Sequence, residues 1–119
     1  MGSHIHYFKP GQSVTFEASA DVIGGRVVEV SGDRKVAPST DASGKVVGTA
    51  AVDAKAGDDV LVIIGGVQKL TSSAAFPAGA RVKSNVGGKV SGIGSGDFSI
   101  GVALTATTGA DQVAQILFN

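Results

Sequence analysis

The sequence predicts an all-β fold with at most one short helix, built as a small compact barrel or sandwich. Three observations support this prediction. Glycine supplies 18 of the 119 residues, and tight turns depend on glycine. Valine and threonine recur along the chain, and β-branched residues favour strands. No segment keeps the 3.6-residue apolar period of an amphipathic helix.

Short alternating segments fill the first half of the chain. In Ser13–Ser19, one face carries Val14, Phe16 and Ala18, which predicts a half-buried strand. Further strands are predicted in Arg26–Gly32, Arg34–Ser39, Lys45–Val52 and Val60–Ile64. Since Val60–Ile64 is apolar throughout, we expect both of its faces to be buried.

The second half is richer in turn residues. Ser72–Arg81 has room for one helical turn, which Pro77 and Gly79 keep short. The glycine-rich segment Gly87–Asp97 is predicted to be the most flexible part. Two strands close the chain, and each is predicted to place its apolar residues on one face: Phe98, Ile100, Val102 and Leu104 in the first, and Ala114, Ile116 and Phe118 in the second.

An internal repeat of about fifty residues is indicated by four matched pairs. Arg26-Val27, Lys35-Val36, Gly48-x-Ala50 and Asp58-x-Val60 recur in order as Arg81-Val82, Lys89-Val90, Gly101-x-Ala103 and Asp111-x-Val113. These matches predict two duplicated β-units packed around one core, a hypothesis that superposable halves would support. The alternative is that the matches arose by chance, because glycine, alanine and valine are common in this chain.

The length suits one domain with one modest core. We expect residues 13–119 to form a single β-rich domain, preceded by an N-terminal arm at residues 1–12. Residues 1–5 include Gly-Ser-His, a common remnant of a cleaved tag, and carry no weight in the fold prediction.

Composition disfavours several function classes. Ten acidic and ten basic residues give zero net charge, and no basic cluster indicates nucleic-acid binding. No apolar run is long enough to span a bilayer, and no signal-peptide core is visible. Cysteine is absent, which removes disulfides, thiolate nucleophiles and cysteine-ligated zinc.

The segment "VLVIIGGVQKLTSS" looks like a damaged phosphate-binding loop. A true loop of this kind reads G-x-x-x-x-G-K-[ST], but here Leu70 stands after Lys69 where Ser or Thr would bind magnesium. No helix is predicted to follow and supply its N-terminus. We therefore interpret Gly65-Gly66 as a turn or bulge between two strands.

The remaining reactive side chains are sparse. Both histidines, His4 and His6, lie in the arm, so the body has none for a catalytic triad or a metal site. Asp53, Asp58 and Asp59 flank one turn, which we interpret as a solvated turn rather than a calcium site. We expect no catalytic residue, no cofactor, no metal and no small-molecule substrate.

The arm has a different character, because "HYFKPGQS" holds two of the six aromatic residues, Tyr7 and Phe8, next to Lys9 and Pro10. Pro10 biases Lys9 toward an extended conformation. An extended apolar arm suits docking on a partner by strand addition. Alternatively, the two aromatic rings close the domain's own core. Both interpretations stay open at this point.

Long stretches of the chain resemble the capsid decoration, or cement, proteins of tailed bacteriophages. The resemblance rests on "YFKPGQSVTFEASADVIGGRVVEVSGDRKVAP", "KVVGTAAVDAKAGDDVLVIIGGVQKL", "AGARV" and "IGVALTATTGADQVAQILF". It covers nearly the whole chain, through a pattern of glycines, valines and turn residues rather than a catalytic motif.

The resemblance implies a non-enzymatic virion protein, made in the bacterial cytoplasm, that binds the outside of an expanded head. It implies a homotrimer that bridges neighbouring major capsid subunits, with Tyr7, Phe8, Lys9 and Pro10 as capsid contacts. It implies no role for nucleic acid or membrane. Two other hypotheses are a small β-domain that binds carbohydrate or a host surface, and an enzyme or nucleic-acid-binding recombination factor. The missing phosphate-binding motif and the neutral charge argue against a recombination role.

Overall fold

The computed structural model describes residues 13–118. Its ten strands are β1 Ser13–Ala18, β2 Val27–Gly32, β3 Lys35–Pro38, β4 Val46–Ala50, β5 Asp59–Ile63, β6 Val67–Thr71, β7 Arg81–Ser84, β8 Val90–Gly92, β9 Gly101–Ala103 and β10 Val113–Phe118. A 3₁₀ turn at Val86–Gly88 is the one helical segment of the described residues. The all-β prediction is confirmed.

The helical turn predicted in Ser72–Arg81 is wrong. Phe76 instead forms an antiparallel bridge with Thr107. Gly79 then takes a positive φ of 86°, a conformation that helices do not use and that glycine adopts at little cost. The segment is therefore a bridge followed by a turn.

The first five strands close into a barrel. Their order is β1-β3-β2-β4-β5, and β5 returns to pair antiparallel with β1 from Ser13–Ile63 to Glu17–Asp59. β1 also pairs parallel with β3. Closure leaves β1 bonded at both of its edges, so the barrel has no free strand edge there.

The last five strands form a second sheet with the same connectivity. Its order is β6-β10-β9-β7-β8. Followed around the closed barrel in the opposite direction, the first unit reads β1-β5-β4-β2-β3, which becomes the order of the second sheet when every strand number is raised by five. A parallel bridge between Ser72 and Val90 joins the β6 end to β8, as the parallel β1–β3 pair does in the barrel. The predicted repeat is thus present in the strand pairing.

Individual backbone contacts repeat with a spacing of 53 or 54 residues. The Gly25 amide donates to the Ala50 carbonyl at 2.7 Å, and the Gly79 amide donates to the Ala103 carbonyl at 2.7 Å. Likewise the Ser19 and Ser73 amides donate to the Val36 and Val90 carbonyls at 2.9 and 2.8 Å. Equivalent positions of the two units therefore make equivalent backbone hydrogen bonds.

Each unit has its own apolar core. The first contains Ala18, Val22, Val28, Val36, Ala50, Val60 and Val62, and the second contains Val27, Leu70, Phe76, Val82, Val90, Ile100, Ala103, Ala114 and Ile116. The adjacent residues Val27 and Val28 of β2 point into different cores. β2 is consequently buried on both faces and ties the two units together, so the expectation of one shared core is replaced by two linked cores.

Two predictions of strand faces are wrong. Leu61 of β5 is 42% exposed, because β5 is a barrel strand with one face outward rather than a strand buried on both faces. In β9, Gly101 and Ala103 point inward, while Phe98 and Leu104 are exposed. The small residues are inside because β9 packs closely on β10. The faces predicted for β1 and β10 are confirmed.

Candidate interaction surfaces

The predicted contact residues Tyr7, Phe8, Lys9 and Pro10 lie outside the described residues. Their role therefore stays a prediction. The first described residue, Ser13, begins β1 and pairs with Ile63 of β5.

The glycine pair after β5 is a turn, as predicted. Gly65 and Gly66 both have φ of 71°, the left-handed region that glycine tolerates best. The strands on either side, β5 and β6, pair with other strands in different sheets. The turn is therefore the covalent connection between the two units and not the tip of a hairpin.

The acidic turn is solvated, in agreement with the sequence interpretation. Asp53, Asp58 and Asp59 are all exposed. One carboxylate oxygen of Asp53 accepts the Gly24 amide at 2.7 Å, so this side chain stabilises a turn. Within residues 13–118, no group of three or more His, Cys, Asp or Glu side chains is arranged to hold a metal ion.

Hydrogen bonds from one loop hold the two units together. The loop Ser39–Ser43, between β3 and β4, meets β7 of the second sheet. The buried Ser84 hydroxyl donates to the Thr40 carbonyl at 2.8 Å and accepts the Ser43 amide at 3.1 Å. The Ser39 hydroxyl donates to the Asn85 carbonyl at 2.8 Å. A further hydrogen bond between the units runs from β4 to β6, where the Thr49 hydroxyl donates to the side-chain oxygen of Gln68.

A nearly buried carboxylate shapes the same loop. Glu29 of β2 is 6% exposed and accepts the amide and hydroxyl of Thr40 at 2.8 and 2.9 Å. Burial alone would raise the pKa of Glu29, but the hydrogen bonds from Thr40 and Ser43 and the charge of Lys45 outweigh it and hold the pKa below its usual range. Glu29 is thus a charged clamp on the loop.

A lysine connects loops from both units. The Lys83 ammonium lies 2.8 Å from an Asp41 oxygen and 3.3 Å from an Asp97 oxygen. Hydrogen bonds to both carboxylates raise the pKa of Lys83, while the pKa of Asp97 is lowered, first by the Gly94 amide and then by Lys83. The predicted flexible segment Gly87–Asp97 is therefore anchored at its end, and it contains the last two residues of the 3₁₀ turn and all of β8.

An apolar row lies open on the outside of the second sheet. Leu117 is the direct cross-strand neighbour of Val67 on one side and Val102 on the other. Val67 is 55% and Leu117 is 41% exposed. Arg81 follows Val102 in the register and ends the row. We call Val67, Leu117, Val102 and Arg81 the open row.

The equivalent row of the first barrel is covered over half of its length. By register it consists of Ser13, Ile63, Thr49 and Val27. Arg81 thus corresponds to Val27, one residue away from the match of Arg26-Val27 with Arg81-Val82 made in the sequence. Val27 and Thr49 are 0% and 3% exposed, since Val27 packs into the second core and Thr49 bonds to Gln68. Thr49 and Val27 are therefore part of the interface between the units, whereas their counterparts Val102 and Arg81 are half-buried and exposed, respectively.

The sequence matches the family of phage cement proteins over residues 8–118. The chain belongs to the phage cement protein family. This cement protein is accordingly a structural component of the phage virion that decorates and stabilises the capsid. The resemblance noted in the sequence is confirmed. A search of curated proteins finds no match.

A solved structure has the same fold as the cement protein. The crystal structure of the head fiber gp8.5 N base of bacteriophage phi29 superposes with a TM-score of 0.72 at 15% sequence identity. The match covers 91% of this chain and 93% of that chain. At this identity the likeness concerns the fold.

The open row was missed by sequence reasoning. Val67 and Leu117 are fifty residues apart in sequence, and only the β6–β10 register makes them neighbours. Val102 was predicted to share a face with Ile100, which is buried. The internal repeat was the one sequence signal that pointed to the open row. It matches Gly101 to Gly48, and once the strand register is known this match aligns the open row with its counterpart in the first barrel. No helix among residues 13–118 is long and apolar enough to cross a membrane.

Proposed function

We propose that this cement protein binds the outer surface of an expanded phage head, contacts the major capsid protein and bridges neighbouring capsid subunits. The observation that carries the proposal is the family match over residues 8–118. The head fiber base of phi29, which shares the fold, supports a position on the head. A binder that touches two neighbours resists their separation, because the second contact forms at high effective concentration.

The firm junction between the units supports the bridging role. Hydrogen bonds of Ser84, Ser39 and Gln68 cross it, and β2 contributes to both cores. A load applied to one unit is therefore transmitted to the other without a flexible linker. In this proposal, the arm residues Tyr7, Phe8, Lys9 and Pro10 supply a capsid contact from the end of β1.

The open row is proposed as the contact between copies in a homotrimer. Its equivalent in the first barrel is already a packing surface, which supports its suitability for protein contact. The charges of the two units favour contact between unlike units of neighbouring copies. Residues 13–64 carry eight acidic and five basic side chains, whereas residues 65–118 carry two acidic and four basic ones. The acidic first unit of one copy is thus complementary to the basic second unit of the next.

The chemistry proposed is non-catalytic recognition by shape. The family is structural, and the charged groups with shifted pKa values (Glu29, Lys83, Asp97 and Asp111) all hold loops or turns of the fold. Binding then depends on apolar contact, hydrogen bonds and the number of copies on a symmetric shell.

Co-sedimentation with undecorated expanded heads tests the function directly. The purified protein should pellet with heads up to a saturating ratio set by the lattice and should remain in the supernatant alone. Unexpanded heads provide the matched control, because the proposal requires the expanded surface. A protein that fails to pellet with expanded heads of its own phage would remove the proposal, and a glycan array would then test the carbohydrate alternative.

A further inference from the structure

We infer that two arginines, Arg34 and Arg81, prevent copies of this protein from joining end to end through the contact that holds its own two units together. The inference rests on the internal repeat and goes beyond the proposed function. A head-to-tail contact that repeats without closing builds an open fibre, and a protein made of two equivalent units carries that risk at both of its ends.

The internal contact joins the turn before β8 to the start of β2. Gly88 of this turn is buried, and a Cβ atom added to it would lie 2.7 Å from the Arg26 Cβ atom and 2.8 Å from the Val27 carbonyl oxygen. The Arg26 guanidinium donates to the Gly87 carbonyl at 3.2 Å. Val27 is fully buried and belongs to the second core. The contact therefore requires glycine in the turn and an apolar side chain on the strand.

Arg34 stands in the first barrel where Gly88 stands in the second sheet. Arg34 lies two residues before Val36 and Gly88 two residues before Val90, and the strand pairing makes these two valines equivalent. The backbone also agrees at this position, because φ is 56° for Arg34 and 80° for Gly88. A first barrel that docked on another copy in the manner of the second sheet would bring Arg34 to a place with no room for a Cβ atom.

The Arg34 side chain lies across the surface that such docking would need. Its guanidinium donates to the Thr15 carbonyl at 3.0 Å and lies 5.1 Å from the centre of the Phe16 ring, within the range of a cation–π interaction. Phe16 corresponds by register to Leu70, which belongs to the same core as Val27. The core of the second unit thus receives an apolar side chain from the other unit, whereas Phe16 in the first unit is covered by a charged side chain of its own barrel.

The opposite end of the molecule carries the second arginine. Arg81 of β7 is exposed and pairs with Val102. Val27 pairs with Thr49, the equivalent of Val102, so Arg81 occupies the register position of Val27. A further unit that docked here in the same manner would have to take the Arg81 guanidinium into an apolar core, which is strongly unfavourable for a charge. An incoming first barrel would also bring Arg34, and two like charges in one contact repel each other.

The consequence for assembly is a restriction on geometry. Copies can meet at the apolar end of the open row, Val67 and Leu117, which lies farthest from Arg81 in the register. They cannot meet in the in-line arrangement of the two units within one chain. The contact in the proposed trimer must therefore differ from the internal contact, and only this last step rests on the proposed function.

Replacing both arginines with the residues of the internal contact tests the inference. Without heads, the double variant Arg34→Gly with Arg81→Val should form species whose mass rises several-fold above that of the wild type as the concentration increases, measured by sedimentation velocity. Both substitutions suit their backbone, because glycine tolerates a positive φ and valine favours strands, and circular dichroism checks the fold.

Two further double variants serve as controls. Arg34→Lys with Arg81→Lys keeps both charges and should sediment as the wild type does. Lys35→Val with Lys55→Gly removes two positive charges and adds the same two residue types at exposed positions of the first unit. It should also sediment as the wild type does, because it leaves both arginines in place.

Mixing the two single variants locates the new contact. Arg34→Gly removes the obstacle at one end and Arg81→Val removes it at the other, so the two variants should bind each other in a 1:1 ratio while each alone behaves as the wild type. Wild-type sedimentation of the double variant would overturn the inference. Equal growth of either control, or failure of the two single variants to pair, would also overturn it. Because every comparison is made with the wild type, such a failure would leave the proposed function standing.

Discussion

Gly48 and Gly101 occupy the same place in the two units, and in both a methyl group would collide with backbone. A Cβ atom at Gly48 would overlap the Ile63 carbonyl oxygen, and one at Gly101 would overlap the Leu117 carbonyl oxygen. Both glycines are buried, Gly48 in the middle of β4 and Gly101 at the start of β9. The repeat thus reuses one close contact between a glycine and the neighbouring strand.

This contact predicts two destabilising substitutions. Gly48→Ala and Gly101→Ala should each lower the free energy of unfolding by about 1–3 kcal/mol, because overpacking forces the paired strands apart. Urea denaturation followed by circular dichroism measures the change. Gly92→Ala is the matched control, since a Cβ atom there has its nearest neighbour, Phe76, at 3.9 Å. Wild-type stability of Gly101→Ala would contradict the equivalence of the two sites.

Glu29 predicts a loss of stability in acid. Its pKa is lowered in the folded state relative to its ordinary value of 4.5, so its contribution is complete above that value and is lost as the pH falls through the lowered pKa. Glu29→Gln should cost about 1.5–3 kcal/mol at neutral pH, as expected for hydrogen bonds to a charged group. The variant should also depend less on pH below 4.5 than the wild type does.

Glu17→Gln is the control for this experiment. Glu17 pairs with Lys35 at 3.7 Å, and both side chains are 47% exposed, so its contribution should be within about 1 kcal/mol. Urea titrations at several pH values compare the three proteins. If Glu29→Gln retains the full acid dependence of the wild type, the clamp on the Ser39–Ser43 loop is not the source of that dependence.

The open row predicts a defect in assembly. Leu117→Ser should weaken or abolish the proposed homotrimer, because it places a hydroxyl at the centre of the proposed contact between copies. Leu61→Ser provides a close control, with the same residue type, nearly the same exposure (42% against 41%) and an outward position on a strand of the first barrel. Sedimentation equilibrium, with and without heads, measures the mass. Equal behaviour of the two variants would locate the copy contact elsewhere.

The arm predicts a binding defect without unfolding. Deletion of residues 1–10 should reduce co-sedimentation with expanded heads while the circular dichroism spectrum stays that of a β-protein, because β1 begins at Ser13. Deletion of residues 1–5 is the matched control and should bind normally. If the longer deletion binds as well as the intact chain, the capsid contact lies on another surface, such as the segment Gly87–Asp97.

The sequence predicted the fold class and the repeat because both depend on local patterns. Turn glycines such as Gly65, and alternation in β1 and β10, are visible without the fold. The failures arose where tertiary contacts decide the outcome. Val60–Ile64 is apolar enough for a strand buried on both faces or on one face. Its position in a barrel leaves Leu61 on the outer face. In β9, the tight approach of β10 requires Gly101 inside, which moves Val102 outward against the apolar alternation.

The surfaces were less predictable than the fold, because each is assembled from distant segments. A pocket of about 260 Å³ that Val46, Ile64 and Phe98 help to line combines β4, the residue after β5 and the segment before β9. Its boundaries follow from pairing registers that one sequence does not reveal. The arm was recognisable, since adjacent aromatic residues before a proline stand out in a chain with 5% aromatic residues.

The open row also makes this molecule extendable. The first unit continues from Ile63 through Gly65-Gly66 into a module that covers Thr49 and Val27 of the equivalent row. Phe118 ends β10 beside Gly66, with its amide 3.0 Å from the Gly66 carbonyl. A Gly-Gly connection after Phe118, followed by a further copy of residues 67–118, would therefore deliver a third module to Leu117 and Val102. Protein engineers could lengthen the particle coat by repetition, one module at a time.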